Sequence, residues 1–185
     1  MTEAETGRQW VAVFGGSEFL PENPQYQEAY RIGKLLVKGG YGVCTGGYGG
    51  IMEAASRGGR EAGGNPIGVT CGAFSNLSPN RWVSREIREK TLMDRTQRLI
   101  DIGSAFIIFP GKAGTLAELA FLWALERAGL LSGKPKILLG GIWRDLVASL
   151  VRAAFLEEGS EREFIFAGNA QEAISALDRL STDLS

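Results

Sequence analysis

A buried strand, a tight glycine turn and a helix follow one another in residues 106–118, and no other segment constrains the fold as strongly. Residues 105–109 are apolar throughout, which predicts a central strand of a parallel sheet, covered on both faces. The turn contains Gly111, and the next helix is predicted to begin at Gly114 and Thr115. Such a turn directs free backbone N–H groups and the positive end of the helix dipole at one point, which is typical of an anion site.

Two side chains of this segment are candidates for ligand contacts. Thr115 adds a hydroxyl to the predicted anion site, and Glu118 lies about one helical turn further on, so its carboxylate can reach the rim of the same pocket. A phosphate cradle beside a carboxylate favours chemistry on a phosphorylated molecule. The simpler alternative is that the glycines only relieve crowding in the turn and that Glu118 complements the helix dipole.

Two further glycine turns favour a ligand site over turn sterics alone. Each follows a short apolar run that is typical of a buried strand, at residues 11–14 and 42–44. The carboxyl ends of parallel strands line the ligand crevice of open α/β sheets, so three such turns predict a nucleotide or sugar-phosphate site. The predicted ligand-binding residues of these two turns are Gly16, Ser17, Gly46, Gly47 and Gly49.

Strand and helix patterns alternate along the whole chain, which predicts an α/β fold: a doubly wound, mainly parallel sheet with helices on both faces. A single domain spanning residues 1–185 is expected, with residues 1–8 and 181–185 frayed. The longest irregular segment, residues 71–83, is a candidate lid or subunit contact. The predicted strands are 10–14, 42–45, 66–70, a short one within 82–87, 105–109, 135–139 and 164–166. The predicted helices are 24–38, 50–62, 92–102, 115–128, 143–158 and 169–180.

Composition argues against several classes of function. The chain has 20 Lys and Arg against 21 Asp and Glu, a net charge of −1, which favours neither nucleic acid nor an anionic membrane as a partner. No apolar run approaches the roughly 20 residues of a membrane span, and no signal-peptide pattern is present, so a cytoplasmic location is predicted. The sequence has no histidine, and its two cysteines lack metal-ligand spacing, so no metal site and no cofactor is expected.

These motifs resemble those of the Lonely-guy (LOG) family, long mislabelled as lysine decarboxylases. Its main signature, P-G-G-x-G-T-x-x-E, is matched by Pro110, Gly111, Gly114, Thr115 and Glu118 in register, with Lys112 at the second glycine. Upstream, Met93 and Arg95 match a methionine and an arginine of the family, and Thr96 replaces a lysine. Gly16 and Ser17 and the segments 46–52 and 62–69 match further family motifs. The resemblance covers residues 11–139 and marks the chain as a divergent member.

The resemblance implies a Rossmann-like fold and a nucleoside 5′-monophosphate phosphoribohydrolase, which releases a free base, notably a cytokinin, and ribose 5-phosphate. It implies that Arg95 and Glu118 are the catalytic pair. Gly111, Lys112, Gly114 and Thr115 are assigned to the phosphate, with Arg98 as a further candidate for phosphate binding that could equally be a surface residue. A homo-oligomer, most simply a dimer, is also implied.

The two alternatives to this function are a non-catalytic binding protein and a lysine decarboxylase. A non-catalytic nucleotide-binding or molybdenum-cofactor carrier protein would use the same turns and would tolerate the departures at Lys112 and Thr96. Decarboxylation of lysine is rejected, because that chemistry normally needs pyridoxal phosphate on a buried lysine. Lys134 and Lys136 flank Pro135 at the predicted start of a strand, which is the wrong end of a parallel sheet for a site.

Overall fold

The computed structural model describes residues 7–74, 76–131 and 133–182. Seven parallel strands form one sheet, in the order β4-β3-β2-β1-β5-β6-β7. The strands are β1 (Trp10–Phe14), β2 (Gly42–Thr45), β3 (Ile67–Cys71), β4 (Arg85–Glu89), β5 (Ala105–Ile108), β6 (Lys136–Leu139) and β7 (Ile165–Ala167). The α/β, doubly wound parallel sheet predicted from the sequence is therefore confirmed.

In the part of the chain that the structure describes, six α-helices cover the two faces of this sheet. Three of them, α1 (Pro24–Lys38), α2 (Ile51–Glu61) and α6 (Ala170–Thr182), pack on one face. The other three, α3 (Leu92–Ile102), α4 (Ala113–Arg127) and α5 (Ile142–Arg152), pack on the opposite face. Both faces of the central strands are therefore buried, which explains why their sequences read as continuous apolar runs.

Each central strand sends alternate side chains to the two cores. In β1, Val11 and Val13 join the core under α1, α2 and α6, whereas Ala12 and Phe14 join the core under α3, α4 and α5. Phe14 stacks on Phe106 of β5, with ring centroids 6.0 Å apart. The period of two along a strand thus anchors both helical layers to the same pair of central strands.

The direction of winding reverses beside β1. The chain passes from β1 outward through β2 and β3 to β4, and then returns through α3 to place β5 on the other side of β1. The loops that leave β1 and β5 therefore diverge and open a crevice at the carboxyl ends of these strands, where ligands bind in doubly wound sheets.

Several boundaries differ from those predicted. Helix α4 begins at Ala113, two residues earlier than expected, and β4 runs over Arg85–Glu89 as a charged edge strand. Helix α5 ends at Arg152 instead of continuing to residue 158. Ala154 adopts a positive φ of 57°, and the N–H groups of residues 154 and 155 bond back to the carbonyls of residues 151 and 150. This Schellman ending, formed without the usual glycine, gave no signal in the sequence.

The fraying expected at the termini falls largely on residues 1–6 and 183–185, which lie outside the described residues. Helix α6 extends to Thr182, beyond its predicted end. No helix within residues 7–74, 76–131 and 133–182 is both long and apolar enough to cross a membrane.

Candidate active site

A cavity of about 240 Å³ opens at the carboxyl ends of the central strands, where the sheet reverses. Two backbone hydrogen bonds join its walls: Gly16 donates to the Pro110 carbonyl at 3.1 Å, and Ile51 donates to the Gly16 carbonyl at 3.0 Å. The turns that follow β1 and β5 and the start of α2 are thereby held together. The cavity is lined by Val13, Phe14, Gly15, Gly16, Ser17, Glu18, Gly46, Tyr48, Met52, Phe74, Leu77, Arg95, Lys112, Gly114, Thr115 and Glu118.

Arg95 reaches this cavity from α3 and is held on several sides. Its Nε donates to the Val69 carbonyl at 2.9 Å, and its Nη2 contacts the sulfur of Met52 at 3.8 Å. The guanidinium also lies 5.7 Å from the centre of the Tyr48 ring, within the range of a cation–π contact. With only 8% of its surface exposed, the Arg95 side chain is fixed in place and not free in solvent.

Glu118 of α4 meets Arg95 inside the cavity. Arg95 Nη1 donates to Glu118 Oε1 at 3.3 Å, and Glu118 is itself only 8% exposed. Burial raises the pKa of the Glu118 carboxyl from its usual 4.5 to about 7, while the positive charge of Arg95 and its hydrogen bond act in the opposite direction. Glu118 can therefore hold or release a proton near neutral pH, which suits a general base.

The amino end of α4 forms the other side of the cavity. Lys112 is the N-cap residue, with extended backbone, and its carbonyl accepts the first helical hydrogen bond from Leu116 at 3.1 Å. The Lys112 side chain makes no capping hydrogen bond, so the N–H groups of the first turn stay available to an anion. Thr115 lies in that turn, is buried, and is one of the residues that line the cavity.

Gly46 and Gly47 have different reasons to be glycine. A Cβ atom on Gly46 would overlap Nη2 of Arg95, so the arginine can occupy its position only because this residue lacks a side chain. Gly47 has a φ of +78°, which side chains rarely permit, and its N–H donates to Thr45 Oγ1 at 3.1 Å. Gly46 therefore makes room for Arg95, whereas Gly47 is required by the conformation of the turn.

The cavity brings together eight of the twelve residues predicted for the site: Gly16, Ser17, Gly46, Arg95, Lys112, Gly114, Thr115 and Glu118. Gly47, Gly49 and Gly111 lie in the same turns but do not line it. Arg98 is turned away, because its Nε donates to Glu89 Oε1 on β4 at 2.8 Å and its side chain is half exposed. Of the two interpretations of Arg98, the geometry favours the surface residue.

The residues at the apolar end of the cavity were not among those predicted from the sequence. The Tyr48 hydroxyl donates to the Cys71 carbonyl at 3.3 Å and accepts from the Cys71 N–H at 3.0 Å, which fixes the ring. Phe74 packs edge-on against Tyr48 at 5.6 Å, and Leu77 lies beside the same opening. The irregular segment predicted as a lid or subunit contact contributes both Phe74 and Leu77, but no pattern indicated which of its residues would face the cavity.

Possible metal ligands and buried lysines bear on which metal or cofactor the protein could hold. No cluster of three or more possible metal ligands occurs in the part of the chain that the structure describes. Lys136 is buried, more deeply than its place at a strand start suggested, and its Nζ lies 2.7 Å from Glu126 Oε2. It stands at the amino end of β6, the opposite edge of the sheet from the cavity.

A doubly wound parallel sheet with an open helix start and a buried Arg–Glu pair at its switch point defines a Rossmann-like protein with a candidate anion site. The model of the SLOG cluster4 family matches residues 8–174, and the chain belongs to this LOG-like family. The resemblance inferred from the sequence is thereby confirmed.

Three relatives illustrate the range of the similarity. A cytokinin riboside 5′-monophosphate phosphoribohydrolase of Mycobacterium marinum is 31% identical over 137 residues, covering 68% of each chain. A rice protein (Oryza sativa subsp. japonica) named as a probable enzyme of the same kind is 28% identical over 178 residues, 90% of this chain and 75% of its own. The structure of the molybdenum cofactor binding protein of Rippkaea orientalis superposes with a TM-score of 0.71 at 25% identity, covering 94% of this chain and 97% of that one.

Proposed function

We propose that the protein hydrolyses the N-glycosidic bond of nucleoside 5′-monophosphates, releasing a free base and ribose 5-phosphate. One observation carries the proposal: the buried pair of Arg95 and Glu118 shares a single cavity with the uncapped amino end of α4. An anion site and a carboxylate with a near-neutral pKa are the two elements that this reaction needs. The enzymes of the same family in Mycobacterium marinum and rice carry names of this activity, which supports the assignment.

The phosphate of the nucleotide would bind at the start of α4. The N–H groups of the first turn, the Thr115 hydroxyl and the Lys112 ammonium together suit its charge and its acceptor oxygens. Anchored there, the ribose would extend toward Arg95 and Glu118, since all these groups line one cavity. Arg95 would donate to ribose hydroxyls and keep the carboxylate oriented.

Glu118 would then act at the sugar carbon. As the bond between C1′ and the base breaks, the base leaves with the bonding electrons and positive charge grows on the ribose. An ionised Glu118 stabilises that charge and takes a proton from the attacking water, whose oxygen bonds to C1′. The departing base gains a proton from solvent, and Glu118 returns its proton to solvent after the reaction. Because burial raises the pKa of Glu118 to about 7, the ionised form prevails only above neutral pH.

A panel of nucleoside 5′-monophosphates tests the proposal. Purified protein is incubated with AMP, GMP, CMP, UMP and an isopentenyl derivative of AMP, and the free base is scored by chromatography. Each nucleoside without phosphate serves as a matched control substrate. Release of base from a nucleotide but not from its nucleoside supports the proposal, and failure of every nucleotide to release its base overturns it.

A second function has its own support. The Rippkaea orientalis structure is named as a molybdenum cofactor binding protein, and this chain carries Lys112 and Thr96 where the phosphoribohydrolase motifs have glycine and lysine. A non-catalytic carrier or nucleotide-binding protein would use the anion site without needing Glu118 to act as a base. Binding of a nucleotide without release of its base would favour this function.

Assembly as a homodimer and a cytoplasmic location are further parts of the proposal. The surface of α4 that faces away from the core is apolar and mostly small, with Leu116, Ala117, Ala120 and Ala124 exposed, and α3 exposes Met93. Such a strip suits a twofold helix-to-helix contact between copies. Sedimentation equilibrium of the protein and of its Leu116→Glu variant tests this, because a dimer dissociates when charge is placed in its interface.

A further inference from the structure

Glu18 and Lys112 face each other across the mouth of the cavity. Lys112 Nζ lies 3.9 Å from Glu18 Oε1, and both residues line the cavity. The Lys112 side chain is 79% exposed and that of Glu18 is 36% exposed. An ion pair so open to water is weak and readily exchanged for another partner.

The Glu18 carboxylate also lies against the turn that follows β1. A Cβ atom built on Gly16 would come within 2.8 Å of Glu18 Cδ, so the carboxyl group packs directly over the Gly16 backbone. Gly16 is tied to Pro110, just before the start of α4. A protein carboxylate therefore occupies the region beside the anion site.

The four charged side chains that line the cavity divide into an inner and an outer pair. The inner pair, Arg95 and Glu118, is buried and further fixed by the Val69 carbonyl. The outer pair, Lys112 and Glu18, is exposed, and among the described residues no hydrogen bond fixes its geometry. Of the two cations in the cavity lining, Lys112 can therefore change partner at the lower cost.

We propose that Glu18 competes with the ligand's phosphate for Lys112, so that binding moves Lys112 from the carboxylate to the phosphate. The inference rests on the proposed function, in that it takes the ligand to be phosphorylated, and it names the residues that select for that phosphate. Before a ligand binds, the Glu18 carboxylate repels an approaching anion and the Lys112 ammonium attracts it. The pair thus favours ligands whose negative charge is strong enough to displace a carboxylate.

Calorimetric binding of ribose 5-phosphate tests this exchange without requiring turnover. The proteins compared are the wild type, Glu18→Gln, Lys112→Met and the double variant, with Glu22→Gln and Lys38→Met as matched exposed controls. We expect Lys112→Met to weaken binding roughly tenfold or more, as loss of a hydrogen bond to a charged group does. Glu18→Gln should tighten binding roughly three- to tenfold through loss of a like-charge contact, and by less when Lys112 is absent.

Four outcomes would overturn the exchange. Unchanged affinity in Lys112→Met would show that the lysine does not meet the phosphate, and weaker binding in Glu18→Gln would show that the carboxylate holds the ligand. Absence of ribose 5-phosphate binding to every variant would remove the phosphate site itself. Release of base from AMP with unaltered affinities in both variants would contradict the exchange and leave the hydrolase proposal standing. The predicted changes of affinity without any release of base would support the exchange and contradict the hydrolase proposal.

Discussion

Arg95 Nη1 lies 3.3 Å from Glu118 Oε1 at the carboxyl edge of the sheet, and both residues are 8% exposed. A nearby cation ordinarily lowers the pKa of a carboxyl group, yet that of Glu118 rises to about 7 because burial outweighs the arginine. Arg95 Nε also donates to the Val69 carbonyl, which holds the guanidinium in place beside Glu118. The result is a carboxyl group that titrates near neutral pH in a cavity that also contains the candidate anion site.

Arg95 and Arg98 provide a matched pair of substitutions on one helix. Arg95→Met should reduce kcat/KM for AMP by at least about 100-fold, because it removes a charged contact made in the transition state. Arg98→Met should stay within about threefold of the wild type, because Arg98 pairs with Glu89 outside the cavity and an exposed pair contributes little. Steady-state kinetics check both, and equal losses in the two variants would contradict the geometry.

The raised pKa of Glu118 makes stability depend on pH. The unfolded carboxyl loses its proton near 4.5 and the folded one near 7, so the folded state binds more protons between these values. The free energy of unfolding should therefore fall as pH rises through this window, compared with that of Glu118→Gln, in which the side chain at position 118 does not titrate. Urea unfolding from pH 4 to pH 8 measures the difference. If the two proteins changed in parallel, the carboxyl would not be titrating as the burial indicates.

Thr115 offers a test of the anion site with little change of shape. Thr115→Val keeps the branched shape of this buried side chain and replaces its hydroxyl with a methyl group, so α4 should fold as before. We expect affinity for ribose 5-phosphate to fall roughly tenfold, because a hydrogen bond to a charged group is lost. Calorimetry measures this, with the affinity for the unphosphorylated nucleoside as the control that should not change. A loss shared by both ligands would point to a general disturbance of the cavity.

Gly46 tests whether Arg95 depends on a close approach to the backbone. A methyl group at this position would overlap the Arg95 guanidinium, so Gly46→Ala should displace the arginine and lower both kcat/KM and stability, the latter by about 1–3 kcal/mol. Gly141→Ala is the control, because a Cβ there meets no atom within 4 Å. Thermal unfolding and AMP hydrolysis give the two readouts. Full activity in Gly46→Ala would mean that Arg95 does not need its present position.

The sequence was informative wherever short-range chemistry determines structure. Apolar runs predicted the central strands, and the glycine turns after them predicted the edge at which the cavity opens. The resemblance to the family predicted the pair of Arg95 and Glu118, which the fold brings together from α3 and α4 across 23 residues of chain. The strands and turns depend on periodicity and on local turn geometry, both of which can be read from one chain.

Features that depend on tertiary contacts could not be predicted. Glu18 and Lys112 lie in two loops, and their residue numbers differ by 94. No local sequence pattern indicates that these two loops meet. Lys112 stands where the family signature has glycine, and its φ of −93° suits any residue. Phe74 lies in an irregular segment whose side chains follow no period, so its place at the cavity became visible only in the structure.

The most direct test of the central claim is the quantity of products formed from AMP by the wild type and by Glu118→Gln. We expect the wild type to release adenine and ribose 5-phosphate in equal amounts. The variant should bind AMP and release them at least about 100-fold more slowly, the range over which a general base acts. Equal rates in the two proteins would contradict the role given to Glu118. AMP binding with no product from the wild type would show that the cavity binds nucleotides without hydrolysing them.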